Sequence, residues 1–114
     1  MKIQDLVREA HQNALQHGWW DDGSKSVGDC IALMHSELSE ALEEYRDGYG
    51  VTDVRFEKDK EGNAKPEGLV IELADVVIRI ADFCGKYGLD LATALGVKME
   101  YNKLRPYKHG GKRL

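Results

Sequence analysis

The segment GLVIELADVVIRIADFCGKYG, residues 68–88, constrains the fold more than any other part of the chain. When it is placed on a helix of 3.6 residues per turn, apolar side chains cover most of the circumference. A helix with so narrow a polar strip is mostly enclosed, so the sequence predicts a helical protein with this helix at the centre of its core. The charged residues form a single lane, consisting of Glu72, Asp75, Arg79, Asp82 and Lys86.

Helical periodicity and start and stop signals predict four helices in an all-α chain. Ser26 is a plausible N-cap, with Asp29 in the capping-box position, and Pro66 suits the first turn of the third helix. The segment between the second and third helices has weak alternation and a Gly-Asn turn signal, which indicates a short hairpin or a mobile flap. The helices are expected over residues 3–18, 26–47, 66–87 and 90–103, in a single domain spanning residues 1–114.

Charge and composition narrow the class of protein. The formal net charge of −4 argues against binding to a nucleic acid polymer, and no apolar run approaches the roughly 20 residues that span a membrane. Cys30 and Cys84 lie in apolar stretches and read as small core residues of a reduced, cytoplasmic protein. Basic residues crowd the end of the chain, which suits a small anionic ligand such as a phosphate; they are Lys98, Lys103, Arg105, Lys108, Lys112 and Arg113.

Two pairs of carboxylates stand out because each has one-turn spacing on a predicted helix. Glu37 and Glu40 share a face of the second helix with Glu44, and Glu72 and Asp75 share the charged lane of the third. Periodicity alone also allows both lanes to be solvent-facing strips. Carboxylates on a mostly enclosed helix repel one another unless a cation lies between them, which favours a site of hard oxygen ligands for Mg²⁺ or Mn²⁺.

Other catalytic arrangements find little support. A di-iron bundle needs Glu-x-x-His on two helices, and no histidine follows Glu72. The four histidines have no zinc-like spacing, and the chain contains neither a phosphate-binding glycine loop nor a nucleophile signature. If the protein is an enzyme, a metal ion and water must carry the chemistry.

The ordered set of Glu37-x-x-Glu40, Glu72-Leu-Ala-Asp75 and Lys98-x-x-x-Asn102-x-x-Arg105 resembles the signature of the MazG-like all-α nucleoside triphosphate pyrophosphohydrolases. The resemblance covers most of the chain from about Ser26. It implies a four-helix-bundle fold, a homodimer or homotetramer, and Mg²⁺-dependent hydrolysis of a nucleoside triphosphate to the monophosphate and pyrophosphate. By this resemblance the metal ligands and catalytic carboxylates are Glu37, Glu40, Glu72 and Asp75.

The basic C-terminal residues are expected to bind the substrate. Lys98, Arg105 and Lys108 are the expected phosphate-binding cations, and Asn102 is expected to reach a phosphate, the sugar or a metal-bound water; a solvated basic tail is the alternative. Many family members have a glutamate where this chain has Ser36, so the general base stays open between a metal ligand, Glu44 and a metal-bound hydroxide.

Trp19 and Trp20 precede the second helix, where an indole face can stack a nucleobase. Aromatic side chains at such a junction more often pack in the core than bind a ligand, and of two adjacent tryptophans one can take each role. Two rival functions remain open: a related pyrophosphohydrolase acting on another nucleotide, such as phosphoribosyl-ATP, and a non-catalytic helical oligomerisation module.

Overall fold

The computed structural model describes residues 1–107 and 113, and the predicted phosphate ligand Lys108 lies outside this part of the chain. The described chain is mostly helical, with one small antiparallel hairpin between the second and third helices. The helical character and the hairpin are therefore confirmed. Among the described helices, none is long and apolar enough to cross a membrane. The elements are α1 (Ile3–Gln16), α2 (Val27–Arg46), β1 (Arg55–Lys58), β2 (Ala64–Glu67), α3 (Leu69–Tyr87) and α4 (Leu91–Lys103).

Side-chain caps begin two of the helices where the sequence predicts. The Ser26 hydroxyl accepts a hydrogen bond from the Asp29 backbone N–H at 3.0 Å, and the Asp29 carboxylate accepts from the Ser26 N–H at 2.9 Å. This reciprocal pair confirms the predicted capping box of α2. At the start of α4, the Asp90 carboxylate accepts from the Thr93 N–H at 3.0 Å.

The prediction that Pro66 opens the third helix is wrong. Pro66 lies in β2 opposite Phe56, and α3 begins only after Gly68. Proline tolerates a strand in a two-stranded sheet because its missing N–H can face solvent. Gly68 makes the transition with a φ of 145°, and a Cβ there would lie 2.4 Å from the Asp53 carbonyl oxygen. The hairpin is therefore fixed against the start of α3 at a position that accepts only glycine.

Helix α3 lies at the centre of the described helices and packs against both α1 and α2. Its contact with α1 is close, because a Cβ added at Gly85 would lie 2.5 Å from the His11 Cβ. Both cysteines are buried and unpaired, as expected of core residues. The buried apolar core is small and consists of Cys30, Ala41, Val76, Ala81 and Cys84.

A broad apolar surface remains exposed on α2 and α3, contrary to the expectation that α3 is mostly enclosed. Leu42 is 56% exposed and Val77 is 48% exposed. Around each helix, this surface and the carboxylates lie on opposite sides of the buried line that joins α2 to α3. We call this surface the apolar stripe; it consists of Ile31, Leu38, Leu42 and Tyr45 on α2 and of Val70, Leu73 and Val77 on α3.

Helix α4 is the least packed of the helices. Its main contacts are with α1, and only Leu91 and Ala92 at its beginning are half-buried. From Thr93 to Lys103 every residue is exposed, including Val97 and Met99. We call residues 91–107 the α4 arm. The chain as a whole is extended, with a radius of gyration of 16.9 Å where a compact chain of this length has about 13 Å.

Candidate functional site

The packing of α2 against α3 brings carboxylates from both helices together. Oxygens of Glu37, Glu40 and Glu72 all lie within 4.8 Å of one another. Asp75, one turn after Glu72, lines a cavity whose wall also includes these three glutamates. The one-turn spacing of each pair places both members beside the line where the two helices touch. On α2 the side chains of Glu37 and Glu44 are only 12% and 13% exposed, whereas Glu40 is exposed, so this lane is only partly a solvent strip.

Mutual repulsion and burial perturb the acidity of this cluster. Burial, followed by the charges of Glu40, Asp75 and Glu37, raises the pKa of Glu72 from 4.5 to about 7. Burial and the Glu37 charge likewise raise the pKa of Asp75. The pKa of Glu40 is raised chiefly by its hydrogen bond to Glu37 and by the charge of that carboxylate. Without a cation, Glu72 is therefore protonated in about half of the folded molecules at neutral pH.

Arg79 gives the cluster a basic neighbour. Its Nε and Nη2 atoms both lie 2.8 Å from Glu37 Oε1. Burial alone would raise the pKa of Glu37, but hydrogen bonds from Glu40 and Arg79 and the Arg79 charge outweigh it, so that this pKa is lowered. The Arg79 guanidinium also lies 4.8 Å from the centre of the Trp19 ring. Arg79 thus keeps Glu37 ionised and joins the carboxylates to an aromatic wall.

A second acidic group, Glu44, Glu67 and Glu72, also has oxygens within 4.8 Å of one another. Glu44, however, already has a cation, because Arg55 donates to its two carboxylate oxygens at 2.9 and 3.0 Å. These hydrogen bonds lower the pKa of Glu44. A carboxylate that is paired on both oxygens is a poor general base, so Glu44 is the least suited of the candidate bases.

Two cavities meet at the carboxylates. The acidic cavity, of about 380 Å³, lies between α2, α3 and the hairpin and is lined by acidic residues, with Lys65 as a basic member of its wall. The α1 cavity, of about 360 Å³, is lined by Trp19, Arg79, Asp82, Ile78 and residues of α1. Glu37 and Asp75 belong to the walls of both. A ligand with a ring and a cation-bound anionic end could therefore occupy the two cavities at once.

The two adjacent tryptophans have different surroundings. Trp20 donates from its indole Nε1 to Asp82 at 2.9 Å, and the same carboxylate oxygen lies 2.9 Å from His11 Nδ1. This arrangement ties α1, α3 and the loop before α2 together through a buried carboxylate. Trp19 instead lines the α1 cavity, with Lys25 Nζ 4.4 Å from its ring centre. Trp20 is thus a packing residue, and Trp19 borders the candidate site.

Lys98 and Arg105, the two predicted phosphate-binding cations within the described residues, are not near the carboxylates of their own chain. Among the described residues, no member of the α4 arm lines the acidic cavity or the α1 cavity. Lys98, Asn102 and Arg105 are exposed, and Lys98 Nζ lies over the ring of Tyr101 at 4.9 Å. Among the described residues, Arg79 lines the α1 cavity and Lys65 the acidic cavity, and the motif reasoning selected neither of them.

The charged lane of α3 already contains the signal for Arg79, because it follows Asp75 by one turn. No comparable signal exists for Lys65, whose position depends on the hairpin register. Comparison with protein-family models, curated proteins and solved structures gives no match. The resemblance to the MazG-like family therefore stays a prediction.

Proposed function

We propose that the protein is a metal-dependent nucleoside triphosphate pyrophosphohydrolase, which releases a nucleoside monophosphate and pyrophosphate. The observation that carries the proposal is the meeting of carboxylates from two helices: oxygens of Glu37, Glu40 and Glu72 lie within 4.8 Å of one another, and Asp75 borders the same cavity. Hard oxygen donors in an acid-lined cavity are the ligands that Mg²⁺ and Mn²⁺ prefer.

The electrostatics of the cluster fit such an ion. Burial, followed by the charges of Glu40, Asp75 and Glu37, raises the pKa of Glu72 to about 7, and a bound cation would offset the repulsion among these carboxylates. When bound, Mg²⁺ would neutralise charge on the phosphates and acidify the attacking water. Glu37, Glu40, Glu72 and Asp75 would hold it, and Arg79 would keep Glu37 ionised and oriented toward the cavity.

The α1 cavity supports a nucleoside as the remainder of the substrate. It adjoins the carboxylates through Glu37 and Asp75, and Trp19 supplies an aromatic wall. A nucleobase that contacts the Trp19 indole would place its phosphates toward the acidic cavity, because the two cavities meet only at their shared carboxylates. Stacking on tryptophan is typically worth about 1–3 kcal/mol per base.

The proposal includes a homodimer or homotetramer with a four-helix bundle, in the cytoplasm, serving nucleotide-pool housekeeping. A related activity on phosphoribosyl-ATP would use the same carboxylates. The exposed apolar stripe favours a second candidate, a non-catalytic helical oligomerisation module, because a face of this kind serves assembly whether or not chemistry takes place.

The test is a panel of ribo- and deoxyribonucleoside triphosphates with Mg²⁺, in which pyrophosphate and orthophosphate are scored separately. Glu72→Gln should lose pyrophosphate release, whereas Glu9→Gln, a matched change on the exposed part of α1, should retain it. Equal activity of wild type and Glu72→Gln would refute the site. Metal binding without turnover would point to another nucleotide, and absence of both would favour the oligomerisation module.

A further inference from the structure

The surface of the chain is too large for a compact monomer. A folded monomer of 12.8 kDa exposes roughly 6,300 Å², whereas this chain exposes 8771 Å². The excess of about 2,500 Å² is larger than the roughly 800 Å² that each partner contributes to a standard protein interface. The surplus surface is sufficient for an extensive and permanent interface.

The apolar stripe has the spacing of a helix-packing seam. Its members on α2 include Leu38, Leu42 and Tyr45, at intervals of four and three residues, and Leu73 and Val77 continue it on α3. Intervals of three and four are those of side chains that interdigitate between paired helices. A surface of this kind is self-complementary when a second copy meets it across a two-fold axis.

The α4 arm starts far from the carboxylates of its own chain. It follows the end of α3, and the helix rise places Tyr87 about 18 Å from Asp75 along the axis. The arm contacts mainly α1, and neither Lys98 nor Arg105 lines the acidic cavity of that chain. Each chain therefore has an acidic end, formed by the cavity and hairpin, and a basic arm at its other end.

We propose that two copies pair antiparallel through the apolar stripe, and that the α4 arm of each crosses to the acidic end of the other. Charge complementarity selects this direction, because a parallel pair would place like-charged ends together. Exposed apolar residues at the acidic end, including Tyr45, Val51 and Phe56, provide the surface on which Val97 and Met99 of the arm pack. The partner's Lys98 and Arg105 would then bind the phosphates of a substrate held by this chain's carboxylates.

The first measurement is the mass in solution by light scattering, for which a mass of at least about twice 12.8 kDa is expected. Leu42→Glu in the stripe and Val97→Glu in the arm should each yield monomers with unchanged helix content. Leu15→Glu, at an exposed apolar residue of α1 outside the stripe, should leave the mass unchanged. A monomeric wild type, or a mass insensitive to Val97→Glu, would overturn the exchange.

The second measurement is complementation, and it rests on the proposed function. The Glu72→Gln variant keeps Lys98 and Arg105, and the double variant Lys98→Ala/Arg105→Ala keeps all of the carboxylates. Each of these two proteins should be inactive alone. After the two are unfolded and refolded together in equal amounts, half of the pairs are mixed and one of their two sites is intact, so about one quarter of wild-type activity should return. Lys103→Ala, a matched change on the same arm, should remain active by itself.

The two outcomes of complementation separate the proposals. Wild-type activity without recovery in the mixture would mean that the phosphate-binding cations act within one chain, with Lys65 and Arg79 as the cations present there, and would overturn the shared site. A wild type inactive on every nucleotide would refute the proposed function. In that case the mass of the Leu42→Glu and Val97→Glu variants would still decide whether the copies exchange arms.

Discussion

Replacing Glu72 by glutamine should stabilise the metal-free protein at pH 8. Glutamine keeps the shape of the protonated side chain and removes the charge that burial and neighbouring Glu40 and Asp75 disfavour. A carboxylate whose main role was structural would have the opposite effect, since its loss would weaken the fold. The direction of this single change therefore separates a cluster that needs a cation from an acidic surface.

The magnitude follows from the pKa of Glu72, which rises from 4.5 to about 7 on folding. Converted directly, this rise corresponds to about 3 kcal/mol of lost stability once the group is ionised in both states. Glu72 is only half-buried, and solvent screens part of the repulsion, so we expect about 1–2 kcal/mol. For a chain of this length, that gain corresponds to an increase in the melting temperature of about 4–8 °C.

The sign of the pH dependence follows from the same shift. Because the folded-state pKa exceeds the unfolded value of 4.5, the stability that the retained proton provides is complete below 4.5 and is lost as the pH rises through about 7. Thermal unfolding in a chelator, at fixed protein concentration, should show the variant well above wild type at pH 8 and close to it at pH 5. A variant that is less stable at both pH values would refute the reasoning.

Four further outcomes are expected. Trp20→Phe removes the indole donor to buried Asp82 and should cost about 1–2 kcal/mol of unfolding free energy in urea, with a smaller loss for Trp19→Phe; equal losses would contradict the role of this hydrogen bond. Gly85→Ala should destabilise by about 1–3 kcal/mol because its Cβ meets α1 at 2.5 Å. A Cβ added at Gly96 in α4 would have no atom of the described chain within 4 Å, so Gly96→Ala should instead stabilise the protein by about 0.5–1 kcal/mol. A loss of stability would contradict this expectation. Adding Mg²⁺ at pH 8 should raise the melting temperature of the wild type. At a Mg²⁺ concentration one hundred times the dissociation constant, the free energy of unfolding should increase by about 2.7 kcal/mol, and the increase should be smaller in the Glu72→Gln variant.

The local features of the fold were predictable because the residues that determine them are close in sequence. The Ser26 capping box and the Gly-Asn turn each depend on side chains only a few residues apart. The prediction for Pro66 is wrong because proline fits both a first helical turn and the edge of a small sheet. The choice between the two depends on how β1 pairs with β2, which the sequence around Pro66 does not specify.

The candidate site was predictable in part for the same reason. One-turn spacing places Glu37 with Glu40 and Glu72 with Asp75, and the pairing of α2 with α3 then brings them together. The link between Trp20 and Asp82 joins residues 62 positions apart, and no local pattern encodes it. Periodicity also identifies an apolar face without revealing whether the same chain covers it, which is why the exposure of the apolar stripe was not anticipated.

The side chains of α3 line two different surfaces, the cavities and the apolar stripe. Glu72 and Asp75 face the cavities, whereas Leu73 and Val77, interleaved with them in sequence, face the apolar stripe. Each added residue turns a helix by about 100°, so one insertion or deletion here would move every later side chain onto the wrong surface. This segment can therefore accept substitutions on one surface without disturbing the other, but it cannot change its length.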